Sequence, residues 1–115
     1  MPHIILEYLR PLKPTVHTKI IKDKLLKTLV ANSDFEAKSI KYRTLFYENF
    51  HGEETDFIHL TIKLLSGRTS EQRKKISQSV GACMVDLFEN HQGSLSITVE
   101  TQEIERESYF KKILG

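Results

Sequence analysis

One cysteine, three prolines, five glycines and no tryptophan occur in this chain of 115 residues. The lone Cys83 rules out an intrachain disulfide and any metal site built from several cysteines. No apolar run approaches the roughly 18 residues of a membrane-spanning helix, and the start Met1-Pro2-His3 lacks the basic and apolar regions of a secretory signal. These absences predict a cytoplasmic protein with no membrane association. An excess of one charge is also missing. The 17 Lys and Arg against 15 Asp and Glu leave a net charge of +2, too weak to predict nucleic-acid binding but compatible with a local cationic pocket. His17, His51 and His91 have no metal-ligand spacing with any carboxylate or with Cys83, so no metal is expected.

What is present fits one soluble domain. The apolar fraction is 39% and the charged fraction 28%, ordinary values for a globular chain, and the length supports a single core. Residues 3–9 form a short apolar run around Ile4, Ile5 and Leu6, which predicts a strand buried on both faces. Pro11 and Pro14 break the chain next, and Pro14 suits the first turn of a helix. From residue 15 to about 31, Val16, Ile20, Ile21, Leu25, Leu29 and Val30 recur at helical spacing between lysines. Asn32-Ser33-Asp34 ends that helix. Residues 38–50 are rich in strand formers. A polar turn, His51-Gly52-Glu53-Glu54, precedes a third strand at 56–65, followed by a tight connection at Ser66-Gly67-Arg68.

Thr69 and Gln72 have the spacing of a capping box, so a second helix begins there. Ile76, Val80, Cys83, Met84 and Leu87 continue it, with Cys83 read as inert packing. Gly81 disfavours a helix interior and predicts a close backbone approach, with a neighbouring chain as one source. Asn90-His91-Gln92-Gly93 ends the helix. Leu95, Ile97 and Val99 alternate with polar residues, as in a half-buried strand. The tail 103–115 is too apolar to be free and is expected to dock on this subunit or on another.

The order is strand-helix-strand twice. Pro2-His3-Ile4-Ile5-Leu6 aligns with Ile58-His59-Leu60-Thr61-Ile62 at an offset of 56, and Ser39-Ile40 aligns with Ser96-Ile97 after one inserted residue. The repeat predicts two parallel βαβ units, about 1–50 and 56–102, related by an internal two-fold axis within one domain. A ferredoxin-like fold has the same element order. Its RNA-binding members carry aromatic residues in a Gly-rich strand pattern, which Phe57-Ile58-His59-Leu60-Thr61-Ile62 lacks. His3 and His59 fall at equivalent repeat positions, which favours a shared packing or hydrogen-bonding role.

Pro2 is the candidate catalytic residue. If Met1 is removed, the Pro2 nitrogen is a secondary amine, the one setting in which proline can act as acid or base. A free α-amino group titrates near 8. Burial and a nearby cation both lower that value and leave a neutral base near pH 7. Ile4, Phe57 or Phe46 are candidates for the apolar wall. Arg68 precedes a helix N-terminus, where backbone amides and the helix dipole favour anions.

Met1-Pro2-His3, the strand Phe57-Ile58-His59-Leu60-Thr61-Ile62-Lys63 and the segment Gly67-Arg68-Thr69-Ser70-Glu71-Gln72-Arg73 together resemble the tautomerase superfamily, in particular its fused-repeat 5-carboxymethyl-2-hydroxymuconate delta-isomerases. The resemblance spans nearly the whole chain and is densest over 56–74. It implies an α+β fold of duplicated βαβ units, with a four-stranded mixed sheet and two helices on one face. It also implies a homotrimer and a cofactor-independent site around Pro2 that isomerises a small unsaturated 2-hydroxy or 2-oxo acid. The family's turn arginine matches Arg68. Its second arginine falls on Lys41, with Arg43 two residues on, so either one is the candidate carboxylate grip. Lysine keeps the charge but loses the planar fork. Dehalogenation or hydration of small unsaturated acids, and binding or signalling with little catalysis, are the other functions found on this fold.

Overall fold

The computed structural model describes residues 1–9, 17–54 and 56–115. Four strands form one sheet in the order β2-β1-β3-β4. They are β1 (His3–Leu9), β2 (Lys41–Tyr47), β3 (Asp56–Leu65) and β4 (Leu95–Ile104). β1 runs parallel to β2 and antiparallel to β3, and β3 runs parallel to β4. Helices α1 (Thr18–Asn32) and α2 (Ser70–Leu87) complete the two βαβ units. Two βαβ units are what the repeat predicted, and the four-stranded mixed sheet is what the resemblance implied.

The register makes the repeat exact in space. The offset of 56 carries Ile5 onto Thr61, and these two residues also face each other across the antiparallel β1–β3 ladder. The internal two-fold axis therefore passes between them. His3 pairs with Lys41, and its counterpart His59 pairs with Thr98, so the outer strands obey the same symmetry.

Strand alternation decides what is buried. Ile4, Leu6 and Tyr8 of β1 and Ile58, Leu60, Ile62 and Leu64 of β3 point to the helices. They meet Ile21, Leu25 and Leu29 of α1 and Ile76, Val80 and Met84 of α2, each set spaced four residues apart. Among the described residues no α-helix covers the opposite face of the sheet, so β1 is fully buried on one side only, not on both. Its alternate residues His3, Ile5, Glu7 and Leu9 are half-buried.

Several boundaries and burials differ from expectation. The double-proline break, Thr15 and Val16 lie outside the described residues. α1 starts at Thr18, where the His17 ring nitrogen Nδ1 accepts from the Lys19 amide at 3.1 Å. Ile20 and Val30 are 50% and 42% exposed, so the buried stripe of α1 is narrower than its apolar pattern. β2 begins at Lys41, not residue 38, because Ala37–Ser39 forms a single 3-10 turn closed by Ser39 on the Glu36 carbonyl. It ends at Tyr47, which pairs with Leu9, the last residue of β1. The capping box of Thr69 and Gln72 is formed, with bonds of 2.8 and 3.1 Å. Cys83 is half-buried beside Lys24 and Thr28, at the edge of the helix pair and outside the core stripe. Gly81 makes no close backbone approach among the described residues. A Cβ there would meet Val99 at 4.0 Å, an ordinary contact.

Candidate active site

Pro2 is fully buried and directly precedes β1. Its carbonyl accepts the Lys41 amide at 2.8 Å, which fixes the first turn of chain against β2. The Met1 amine donates to the Ser39 carbonyl at 2.8 Å. Burial, then Lys111 and Lys41, hold that amine below the usual range.

His3 turns to the open face between Lys41 and Lys63, its two cross-strand partners. Arg43 lies on the same face, one pleat along. Its guanidinium donates to His3 Nδ1 at 3.1 Å, and His3 Nε2 meets the Tyr109 hydroxyl at 3.0 Å. Burial, then Arg43 and the N-terminal amine, push the His3 pKa down. Lys41, Arg43, Lys63 and Lys111 form no ion pair with a carboxylate among the described residues. The start of the sheet is therefore a cluster of uncompensated cations beside Pro2. Both sequence candidates, Lys41 and Arg43, belong to it. Lys63, Lys111 and Tyr109 were not found by sequence reading, because a tail residue and a lysine of another strand reach the site only through the fold. The apolar tail was the one signal for Tyr109.

Arg68 occupies a neighbouring place. Its Nη2 donates to Asp34 Oδ1 at 2.9 Å, and its guanidinium carbon lies 4.5 Å from the centre of the Phe35 ring. Both contacts come from the segment after α1. Arg68 lines a cleft of about 530 Å³ together with Ser33, Asp34, Gly67, Lys75 and Arg106. Pro2 is not among the residues of that cleft. The turn that carries Arg68 is set by Gly67, whose φ of 129° suits glycine. It is clamped from the tail by Arg106, which donates twice to the Ser66 carbonyl. The Arg68 guanidinium holds the Asp34 carboxyl below its ordinary value.

Two of the expected wall residues are not near Pro2. Phe46 pairs with Tyr8, and Phe57 pairs with Ser96 at the start of β3. Both lie at the other end of the sheet, about 20 Å away at roughly 3.3 Å per strand residue. Ile4, two residues on from Pro2, is fully buried. Among the described residues no group of three His, Cys, Asp or Glu side chains could hold a metal ion, and no helix is long and apolar enough to cross a membrane.

The chain is similar in structure to a 5-carboxymethyl-2-hydroxymuconate isomerase from Deinococcus radiodurans, at 27% identity and a TM-score of 0.83, over 96% of this chain and 88% of that one. A 5-carboxymethyl-2-hydroxymuconate delta-isomerase matches at 13% identity and a TM-score of 0.85, over 98% of this chain and 88% of that one. A fused 4-OT, an asymmetric trimer, matches at 13% identity and a TM-score of 0.75, over 95% and 91%. At such identities the last two establish the fold alone. No curated protein sequence matches. The family model of 5-carboxymethyl-2-hydroxymuconate isomerase matches residues 2–113. With nearly every residue inside that match, the chain belongs to the 5-carboxymethyl-2-hydroxymuconate isomerase family, within the isomerases of the tautomerase superfamily.

Proposed function

We propose that this chain is a cofactor-independent isomerase of small unsaturated 2-hydroxy or 2-oxo carboxylic acids, of the 5-carboxymethyl-2-hydroxymuconate kind, with Pro2 as general acid and base after Met1 is removed. The observation that carries the reading is the group of cations without carboxylate partners at the Pro2 end of the sheet. An amine placed there is disfavoured in its charged form by burial and by Lys41 and Lys111, as the Met1 amine already is. A neutral Pro2 nitrogen takes a proton from the substrate hydroxyl or carbon. The electron pair moves through the conjugated system to give a bound dienolate. The protonated amine then returns the proton to a different carbon, so one group performs both transfers.

Lys41 and Arg43 are the proposed grips for the substrate carboxylate. Arg43 spends one N–H on His3 and keeps others for an anion. Arg68 is the proposed second anion group of the catalytic machinery. The Asp34 carboxylate on its guanidinium occupies the position that a substrate carboxylate would take. Binding through Arg68 therefore competes with Asp34. A homotrimer is proposed on two grounds. A fused 4-OT of the same fold is a trimer. In addition, Phe110, Ile113 and Leu114 of the tail are 86%, 71% and 85% exposed, which leaves apolar surface for another copy. A cytoplasmic location remains part of the proposal.

The test is ultraviolet absorbance of 2-hydroxymuconate or phenylenolpyruvate with protein whose intact mass shows loss of Met1. Accelerated ketonisation or isomerisation is expected, and Pro2→Ala should abolish it. Equal rates for the two proteins would sink the Pro2 assignment.

A further inference from the structure

The hydrogen bonds around His3 have a direction. A guanidinium can only donate, so Arg43 donates to His3 Nδ1 at 3.1 Å and that nitrogen carries a lone pair. The ring proton is then on Nε2, which donates to the Tyr109 hydroxyl at 3.0 Å. The Tyr109 oxygen is thus an acceptor, and its own proton is not used by any described residue. His3 cannot serve as a base, because its one free lone pair is covered by Arg43. A hydrogen bond accepted by a hydroxyl also strengthens the bond that the hydroxyl donates.

The ring is held where this proton is useful. Arg106 fixes the start of the tail on the Ser66 carbonyl, and one 3-10 turn, Arg106–Ser108, leads to Tyr109. The Tyr109 ring meets the His3 ring edge-on at a centroid distance of 6.2 Å. His3 follows Pro2 directly and stands between Lys41 and Lys63. The cations suit carboxylates, which carry charge throughout the reaction. A neutral hydroxyl with one directed proton suits the oxygen on which charge appears only as the dienolate forms.

Resting on the isomerase reading above, we infer that Tyr109 is a catalytic hydrogen-bond donor to the substrate's 2-oxygen, positioned by His3, which Arg43 holds in the required tautomer. No proton leaves Tyr109. Pro2 removes and returns the proton, and the Tyr109 O–H contact strengthens as the oxygen becomes negative.

The experiment compares wild type, Tyr109→Phe, His3→Ala, the double variant and Pro2→Ala on phenylenolpyruvate, with native mass and melting temperature measured for each. Tyr109→Phe removes one hydroxyl and should lower kcat by roughly 10- to 100-fold while KM stays within about twofold. His3→Ala should lower kcat less, and the double variant should match Tyr109→Phe alone, because His3 acts through Tyr109. Wild-type kcat in Tyr109→Phe, or losses that multiply in the double variant, overturns the inference while Pro2→Ala remains inactive. If Tyr109→Phe changes the native mass, His3→Ala decides: lowered kcat at constant KM supports the donor, and unchanged kcat removes it. Absence of turnover by the wild type instead rejects the isomerase reading itself, and full activity of Pro2→Ala rejects the Pro2 assignment within it.

Discussion

His3 and His59 occupy the same place in the two βαβ units, and their surroundings have opposite charge. His3 faces Arg43, Lys41 and Lys63. His59 donates from Nε2 to Glu100 at 2.6 Å, and its Nδ1 meets the Thr98 hydroxyl at 2.6 Å. By the repeat, Thr98 stands for Lys41 and Glu100 for Arg43. Glu100 is further held by Gln102 at 3.0 Å, and that bond, then His59, keeps its carboxyl below the usual range. The second unit has closed its polar network on itself. The first has left cations over. The strand starts differ for a reason that no side chain can change. Pro2 precedes β1 and, on the proposed reading, presents an amine once Met1 is removed, whereas its counterpart Ile58 lies in the core within β3. A duplicated scaffold thus provides two equivalent positions, and the proposal assigns amine chemistry to the first alone.

The largest effect should separate Pro2 from Ile58. Pro2→Ala is expected to lower kcat by at least roughly 100-fold. Ile58→Ala is expected to cost about 2–5 kcal/mol of stability in denaturant titrations while activity per folded molecule survives. The pH profile sharpens the same contrast. The base must be neutral, so activity falls as pH drops through its pKa. Burial, Lys111 and Lys41 lower the pKa of the Met1 amine, and the same surroundings acting on a Pro2 amine should set the acid limb of kcat/KM lower than for an exposed proline amine. Lys111→Ala removes one repelling charge and should move the limb upward.

Next comes Arg43 against Glu100. Arg43→Ala should raise KM for a carboxylate substrate by roughly 10-fold, since a hydrogen bond to a charged group is lost. Glu100→Gln should leave KM within about twofold in the same assay. Equal effects on KM would erase the distinction between the two ends of the open face.

A smaller effect concerns the helices. Gly81→Ala has room against Val99 and should raise the unfolding free energy by up to about 1 kcal/mol, read from chemical denaturation. A reduced native mass in this variant would instead place another chain against α2. The smallest effect is expected at Asp34. Its carboxyl pKa is lowered chiefly by the hydrogen bond from Arg68. The stability it contributes is present above its unfolded pKa and is lost as pH falls through the lowered folded value. Asp34→Asn should therefore remove about 0.5 kcal/mol or less at neutral pH. It should also lower KM if a substrate carboxylate competes for Arg68.

Much of the fold was legible because its signals are local. Alternation at Leu95, Ile97 and Val99, the capping box at Thr69 and the offset of 56 each depend on near neighbours or on copying. Ile20 and Val30 misled because helical spacing marks an apolar side without its width. Phe46 and Phe57 misled for a different reason. A strand's residue types do not say which end of the sheet they reach, and the register sets both phenylalanines at the end away from Pro2. Gly81 suggested crowding that Val99 does not impose.

The amino-acid order by itself determined the two βαβ units and the candidate Pro2, which follow from residue type, spacing or repetition, while Lys41, Arg43 and Arg68 entered as candidates through the family resemblance. Tertiary structure alone decided their company. The antiparallel β1–β3 ladder brought Lys63 beside His3. The tail, anchored by Arg106, brought Tyr109 to the same ring. The turn after α1 gave Arg68 to Asp34 and Phe35. These partners lie 33 to 106 positions apart in the chain, and contacts over such separations depend on how whole elements pack, which no local pattern encodes.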